Sequence, residues 1–168
     1  MADNSFTEKV LRAFKKINEE IAIDSLEHDF SPRFVKYFVE EVLGYQGNEY
    51  KYERGRTDIT LLDENARRIV VIEAKRPKED LDAEKWKAQA GKYADSSTEF
   101  VGLTNGYRFL LWEARKGGEK ELKVDLNFKS IAEEKRTAEA KLSTKETEQI
   151  LFLANITKEQ VWNEEKYG

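Results

Sequence analysis

An α/β fold, a central mixed β-sheet flanked by helices on both faces, is predicted by three features of the sequence. Two amphipathic helical stretches open the chain, three β-prone runs follow them, and one helical stretch separates those runs from two further strands and a hairpin. A chain of 168 residues with 39% hydrophobic and 37% charged side chains suits one domain with a real core and a heavily charged surface.

The elements follow in order. "SFTEKVLRAFKKINEEIAI" carries Phe6, Val10, Leu11, Phe14, Ile17 and Ile21 on a helical period, with Ser5 or Thr7 as N-cap, and gives an N-terminal helix over about 5–22. "FSPRFVKYFVEEVLGY" offers Ser31 as N-cap, Pro32 at the first helical position and Gly44 as the stop. "NEYKYE", "TDITLLD" and "RRIVVIEAK" are β-prone, and "DENARR" is a polar turn that makes the last two a hairpin. "KEDLDAEKWKAQAGKYADS" returns to helix, with Leu81, Trp86, Ala90 and Tyr93 along one side. "EFVGLTN" and "YRFLLWEA" are strands joined through Asn105-Gly106, a pair suited to a tight turn with positive φ. "GGEKELKVDLNF" adds a hairpin and an edge strand, and the chain from Ser130 is charged and expected to be helical to its end.

Composition narrows the chemistry. With no cysteine and a single histidine, His28, disulfides, thiolate zinc sites, cysteine nucleophiles and multi-histidine metal sites are excluded, leaving carboxylates, lysine and hydroxyls. No apolar stretch reaches the roughly 20 residues of a membrane span, and "MADNSFTEKV" lacks the layout of a signal peptide, so a cytoplasmic protein without membrane contact is expected. The formal net charge of −4 argues against tight electrostatic binding of nucleic acid by the whole domain. Arg67 to Lys78, however, holds five Lys or Arg against one Glu, a local basic lip.

That stretch also poses a question. After the apolar run Ile69 to Ile72 the strand ends in Glu73 and Lys75, on the same face as Val71. A carboxylate among apolar neighbours is either protonated or paired with a cation, for which Lys75 and a divalent metal are the candidates. If "TDITLLD" and "RIVVIEAK" form a hairpin, Asp58 falls close to Glu73, and the two carboxylates converge at one end of adjacent strands. Two such oxygens suit a hard cation such as Mg²⁺, and a lysine beside them suits a phosphate.

Asp58, fourteen intervening residues, then Glu73-Ala74-Lys75 at the end of an apolar strand resembles the PD-(D/E)XK nuclease motif, with Thr57 where proline is common. "QAGKY" supplies Gln89 and Tyr93, similar to the QxxxY element of the branch that includes type I restriction subunits and single-chain type ISP and IIG restriction-modification enzymes. "LEHDFSPRFVKYF", with Glu27, and the "LTNG" hairpin extend the likeness over about residues 25–128.

The resemblance implies a restriction-endonuclease-like core with a C-terminal helical extension over about 130–168, a single nuclease domain within a larger polypeptide. It further implies Mg²⁺-dependent hydrolysis of double-stranded DNA, with Mn²⁺ as substitute. Asp58, Glu73 and the Ala74 carbonyl would bind the metal, and Lys75 would position the attacking water or stabilise developing charge. Gln89 and Tyr93 would organise the site and contact the DNA backbone. Glu27 would hold a second metal or its water, a role for which Glu40 and Glu41 compete. The partners implied are DNA and motor, methyltransferase or recognition modules. Two other readings keep the same fold: a catalytically silent DNA-binding or scaffold domain, separated by metal dependence, and a repair-type exonuclease, separated by dependence on DNA ends.

Overall fold

The N-terminal helix exists because one stripe of its surface is apolar. In the computed structural model, which describes residues 4–52, 58–90 and 94–163 and only the backbone at Glu27, His28 and Lys116, α1 spans Ser5–Glu20. It buries Val10, Ala13, Phe14 and Ile17 at helical spacing. Asn4 precedes the helix, Ser5 is already inside it and Thr7 is buried, so neither of the expected capping residues caps.

The second helix corrects the sequence reading. It begins at Glu27, with the Leu26 N–H donating to the Asp29 carboxylate at 3.0 Å, and runs as α2 over Glu27–Phe34. Ser31 is therefore not the cap; it is fully buried and its hydroxyl pairs with the Tyr52 hydroxyl at 2.8 Å. Pro32 lies inside the helix, where its missing N–H and its ring disturb the ordinary ladder. Beyond it the chain widens into a π-helical segment, Val35–Glu40, with Glu41 N–H donating to Lys36 O and Leu43 N–H to Phe38 O. Gly44, at φ 89°, ends the helix as predicted.

All six strands form: β1 Tyr50–Lys51, β2 Asp58–Leu62, β3 Arg68–Ala74, β4 Phe100–Thr104, β5 Arg108–Ala114 and β6 Lys120–Asn127. They lie side by side in sequence order, antiparallel except for the parallel pair β3 and β4. The turn between β2 and β3 is organised by Asp63, whose buried carboxylate accepts from Asn65 N–H and Arg67 N–H at 2.9 Å and from Arg67 Nε at 2.8 Å. Those bonds set the hairpin register.

Helices cover both faces of the mixed sheet, unequally. Val70, Ile72 and Ala74 of β3 enter the larger core with α1, α2 and the C-terminal segments. At its centre Phe14 stacks on Phe128 with ring centroids 3.8 Å apart and contacts Phe34, Phe38 and Phe109. The opposite face carries a smaller cluster of Leu81, Ala90, Val101, Leu103, Leu110 and Trp112. It is covered by the connection from β3 to β4, which holds a short helix, α3, over Ala83–Trp86.

The C-terminal region is helical in pieces, not continuously: α4 Phe128–Glu133, α5 Thr144–Phe152, a 3₁₀ turn Leu153–Ile156 and α6 Lys158–Val161. Lys135 and Lys141 take positive φ between α4 and α5, which breaks the helix there. Ile150, Leu153, Ile156 and Val161 are buried in this domain's own core, while Leu151 is 40% exposed. No helix of the described residues is long and apolar enough to cross a membrane.

Two core-edge tyrosines give a prediction at high pH. Burial pushes the Tyr45 hydroxyl well above its ordinary range, and burial with the Glu40 carboxylate pushes Tyr50 up to about 12. The Tyr45 hydroxyl donates to Ile156 O at 3.0 Å. An unfolded tyrosine ionises near ~10. Stability from these groups is thus full below that pH and is lost as pH rises through the folded values. Tyrosinate absorbance, followed together with near-ultraviolet circular dichroism, is expected to show Tyr45 ionising only as the fold is lost. Ionisation of all seven tyrosines in a protein still folded would contradict this.

Candidate active site

The end of the sheet that carries the acidic pair is built by the hairpin register. Asp58, the first residue of β2, lies directly opposite Glu73 near the end of β3, a placement that sets facing Cβ atoms about 4.5–5.5 Å apart. Both side chains point to the face with the smaller cluster, because Glu73 pairs in turn with Leu103 and Leu103 with Leu110. The same row ends at Asp125, whose carboxylate is taken by a bidentate bond from Arg108 at 2.7 Å for each contact. Asp58 is half-buried and, among the described residues, has no side-chain partner.

Lys75 is placed by its backbone as well as by its charge. Its N–H donates to Thr104 O at 2.8 Å, extending the parallel pairing one residue past β3. Its Nζ lies 3.1 Å from Glu73 Oε1, with both side chains about four-fifths buried at 21% and 19% exposure. The ammonium also lies 4.6 Å from the centroid of the Trp86 ring. Ala74, between the two charged residues, is buried toward the larger core.

The "LTNG" turn holds the next segment in place. Gly106 takes φ 90°, a conformation that strains any residue bearing a Cβ, and a Cβ there would also press on the end of the Ile21 side chain at 2.6 Å, so the turn favours glycine. Asn105 contributes through its side chain. Its Oδ1 accepts from Tyr107 and Arg108 N–H, and its Nδ2 donates to Pro77 O at 3.3 Å and Glu79 O at 2.8 Å. The strand that bears Lys75 is thereby tied to the β4–β5 turn. Asn105→Ala removes these bonds and leaves buried backbone groups unpaired, with an expected loss of about 2–4 kcal/mol in urea denaturation. A change under about 0.5 kcal/mol would be inconsistent with this role.

The helix expected over "KEDLDAEKWKAQAGKYADS" is much shorter than its periodicity suggested. Asp82 caps it, accepting from Glu84 N–H at 2.9 Å, and beyond Trp86 the chain continues in hydrogen-bonded turns over 87–90, with Ala90 N–H donating to Trp86 O at 2.9 Å. The Lys120 ammonium binds Lys87 O and Ala90 O there, pulling those carbonyls toward β6. Gln89 is exposed on this turn and, among the described residues, makes no side-chain bond to Asp58, Glu73 or Lys75. Tyr93 and Thr57 lie outside the described residues.

The backbone of Glu27 opens α2 one turn before Phe30, which packs beside Gly106 at this end of the sheet. Glu40, its first competitor, accepts from the Tyr50 hydroxyl at 2.8 Å, and Glu41 is exposed beyond the π-helical segment. Trp86 and Asn105 were not read as site residues from sequence. Asn105 has a signal, an asparagine before a turn glycine, whereas Trp86 is indistinguishable from a core aromatic by spacing.

Facing carboxylates with a lysine beside them fit an oxygen-ligated divalent cation, since Mg²⁺ commonly takes only one or two protein carboxylates. Among the described residues no group of three or more His, Cys, Asp or Glu side chains gathers into a fuller cage. No protein-family model, curated protein or solved structure matches this chain. The functional reading therefore rests on these residues and their placement.

Proposed function

We propose that this domain is a metal-dependent DNA endonuclease, the cleavage module of a restriction-modification enzyme acting in the cytoplasm. The observation that carries the reading is the pairing of Asp58 directly opposite Glu73, with the Lys75 ammonium 3.1 Å from Glu73. Two like charges placed opposite one another destabilise a sheet, so their convergence calls for a cation. Mg²⁺ or Mn²⁺ held by Asp58, Glu73 and the Ala74 carbonyl would supply Lewis-acid stabilisation of phosphate charge.

The chain's own groups do the rest. Lys75 carries its positive charge at the strand end, where it orients a water and offsets the negative charge that grows on a phosphodiester under attack. Lys75, Arg76 and Lys78, which follow β3 at the acidic end, favour the approach of a phosphate backbone despite a net charge of −4, whereas Arg67 and Arg68 lie at the other end of β3, with Arg67 bound to Asp63. With that overall charge, the isolated domain is expected to cut weakly and without sequence preference, its DNA grip coming from motor, methyltransferase or recognition modules. Glu27, Gln89 and Tyr93 keep the supporting roles implied by the resemblance.

Nicking of supercoiled plasmid by the domain at high concentration, in Mn²⁺, Mg²⁺ or EDTA, tests the reading. Cleavage that needs metal supports it. Neither cleavage nor calorimetric metal binding would move the assignment to a silent scaffold domain, and degradation of linear DNA with closed circles spared would make it an exonuclease.

A further inference from the structure

Lys75 has two partners, and only one of them competes with a metal. Glu73 holds the ammonium at 3.1 Å, but in the proposed nuclease the same carboxylate oxygens face Asp58 and a divalent cation. A lysine tied to Glu73 alone would lose its anchor when that carboxylate is engaged. The second partner is the indole face of Trp86, 4.6 Å from Nζ, an uncharged surface that attracts an ammonium through its π electrons and does not draw a metal from oxygen ligands.

The ring is itself fixed. Trp86 Nε1 donates to Asp80 O at 3.1 Å, Asp82 caps the one turn of α3 that carries it, and its body packs, partly buried, against the smaller cluster. The preceding segment is tied down by Asn105 at Pro77 O and Glu79 O, and the following one by Lys120 at Lys87 O and Ala90 O. The Lys85 ammonium, 5.2 Å from the ring centroid, also draws on this ring. The segment that bears the ring is therefore held on both sides, by the β4–β5 turn at the Lys75 end of the sheet and by Lys120 at the other end, where β6 begins.

We infer that Trp86 is the positioning residue of Lys75, holding its ammonium at the strand end when Glu73 is engaged by a cation. The consequence for catalysis rests on the nuclease reading, whereas the placement of Lys75 does not. Two readouts keep them apart. The first is the rate of Lys75 acetylation by acetic anhydride, measured by mass spectrometry against the exposed Lys145, for wild type, Trp86→Phe and Trp86→Leu, with and without Mn²⁺. Trp86→Leu is expected to label about 5- to 30-fold faster than wild type, most clearly in Mn²⁺, and Trp86→Phe, which keeps a ring face, by less than about 5-fold. Equal labelling in wild type and Trp86→Leu would overturn the inference. Thermal melts confirm that each variant is folded, and Trp86→Phe keeps the test usable where leucine loosens α3.

The second readout is plasmid nicking in Mn²⁺. Trp86→Leu is expected to lower kcat about 5- to 30-fold with little change in KM for DNA. In a Lys75→Ala background the same substitution is expected to have no further effect on nicking, because the ring then holds no ammonium at the site and only Lys85 away from it. Independent, additive losses would overturn the positioning role and leave Trp86 a packing residue. A wild type that neither nicks nor binds metal would sink the nuclease reading alone, with the labelling ratio still deciding where Lys75 is held.

Discussion

Replacing Asp58 by asparagine is expected to abolish metal binding and metal-dependent nicking while leaving the fold as stable as before, or more so. Two carboxylates stand directly opposite across the β2–β3 hairpin, and like charges so placed oppose folding by roughly 0.2–1 kcal/mol. Asp58 has no side-chain partner among the described residues to offset that cost, so its neutralisation removes repulsion and breaks no bond. Lys75→Ala gives the opposite sign in stability. It strips Glu73 of its ion pair and Trp86 of its cation, so the melting temperature should fall as nicking drops by about 10²–10⁴-fold. Calorimetric metal titration, plasmid nicking and thermal melts on the two variants check both halves. A stability loss in Asp58→Asn as large as that in Lys75→Ala would mean that Asp58 is a structural residue and would remove the case for a cation site.

Phe14→Ala is expected to cost the fold about 3–5 kcal/mol, enough to unfold a large fraction of the protein at moderate temperature. Its ring is 1% exposed, stacks on Phe128 at 3.8 Å and touches Phe34, Phe38 and Phe109. One side chain therefore joins α1, α2, the π-helical segment, β5 and α4. The cavity left behind is walled by other rings that cannot collapse independently, which places the loss toward the upper end for an aromatic. Phe14→Leu should recover about half of it, and urea denaturation measures both. A loss under 1 kcal/mol for the alanine variant would contradict the central place of this cluster.

The hairpin that makes the acidic pair could be read from sequence because its two determinants are local. The apolar run Ile69 to Ile72 marks β3 and the short polar turn marks a hairpin, which together bring Asp58 close to Glu73; the direct pairing of the two depends also on a bulge at Leu61–Leu62 that neither signal shows. The bonds of Asp63 that hold that register were not visible, since a lone aspartate in a turn looks like solvent chemistry until its burial is known. Helix starts were less legible. Ser31 and Pro32 form a good opening pair, yet the helix starts five residues earlier and passes proline through its interior, because burial of Phe30 and Phe34 outweighs the local preference. In the 78–96 region the apolar spacing suggested one long helix. Among its described residues only Ala83–Trp86 is helix, and long-range bonds from Asn105 in the β4–β5 turn and from Lys120 of β6 reach the carbonyls on either side of it. The spacing places Trp86 on the apolar side of that stretch and goes no further, because a ring that covers a lysine and a ring that fills a core have the same spacing.

The single parallel pairing among the described strands bears on how the molecule comes into being. It divides the sheet into two antiparallel meanders, β1–β3 and β4–β6, each closed by contacts near in sequence. Such local units form readily, whereas their junction must wait for the connection between β3 and β4 to close. Asp58 and Glu73 meet inside the first meander, but the backbone bond that seats Lys75 is made to Thr104 of the second. A partly folded chain can thus pair Asp58 with Glu73 while the Lys75 backbone still lacks its seat on Thr104. In the nuclease proposed above, the complete site, and any cutting with it, would wait until the two halves have joined.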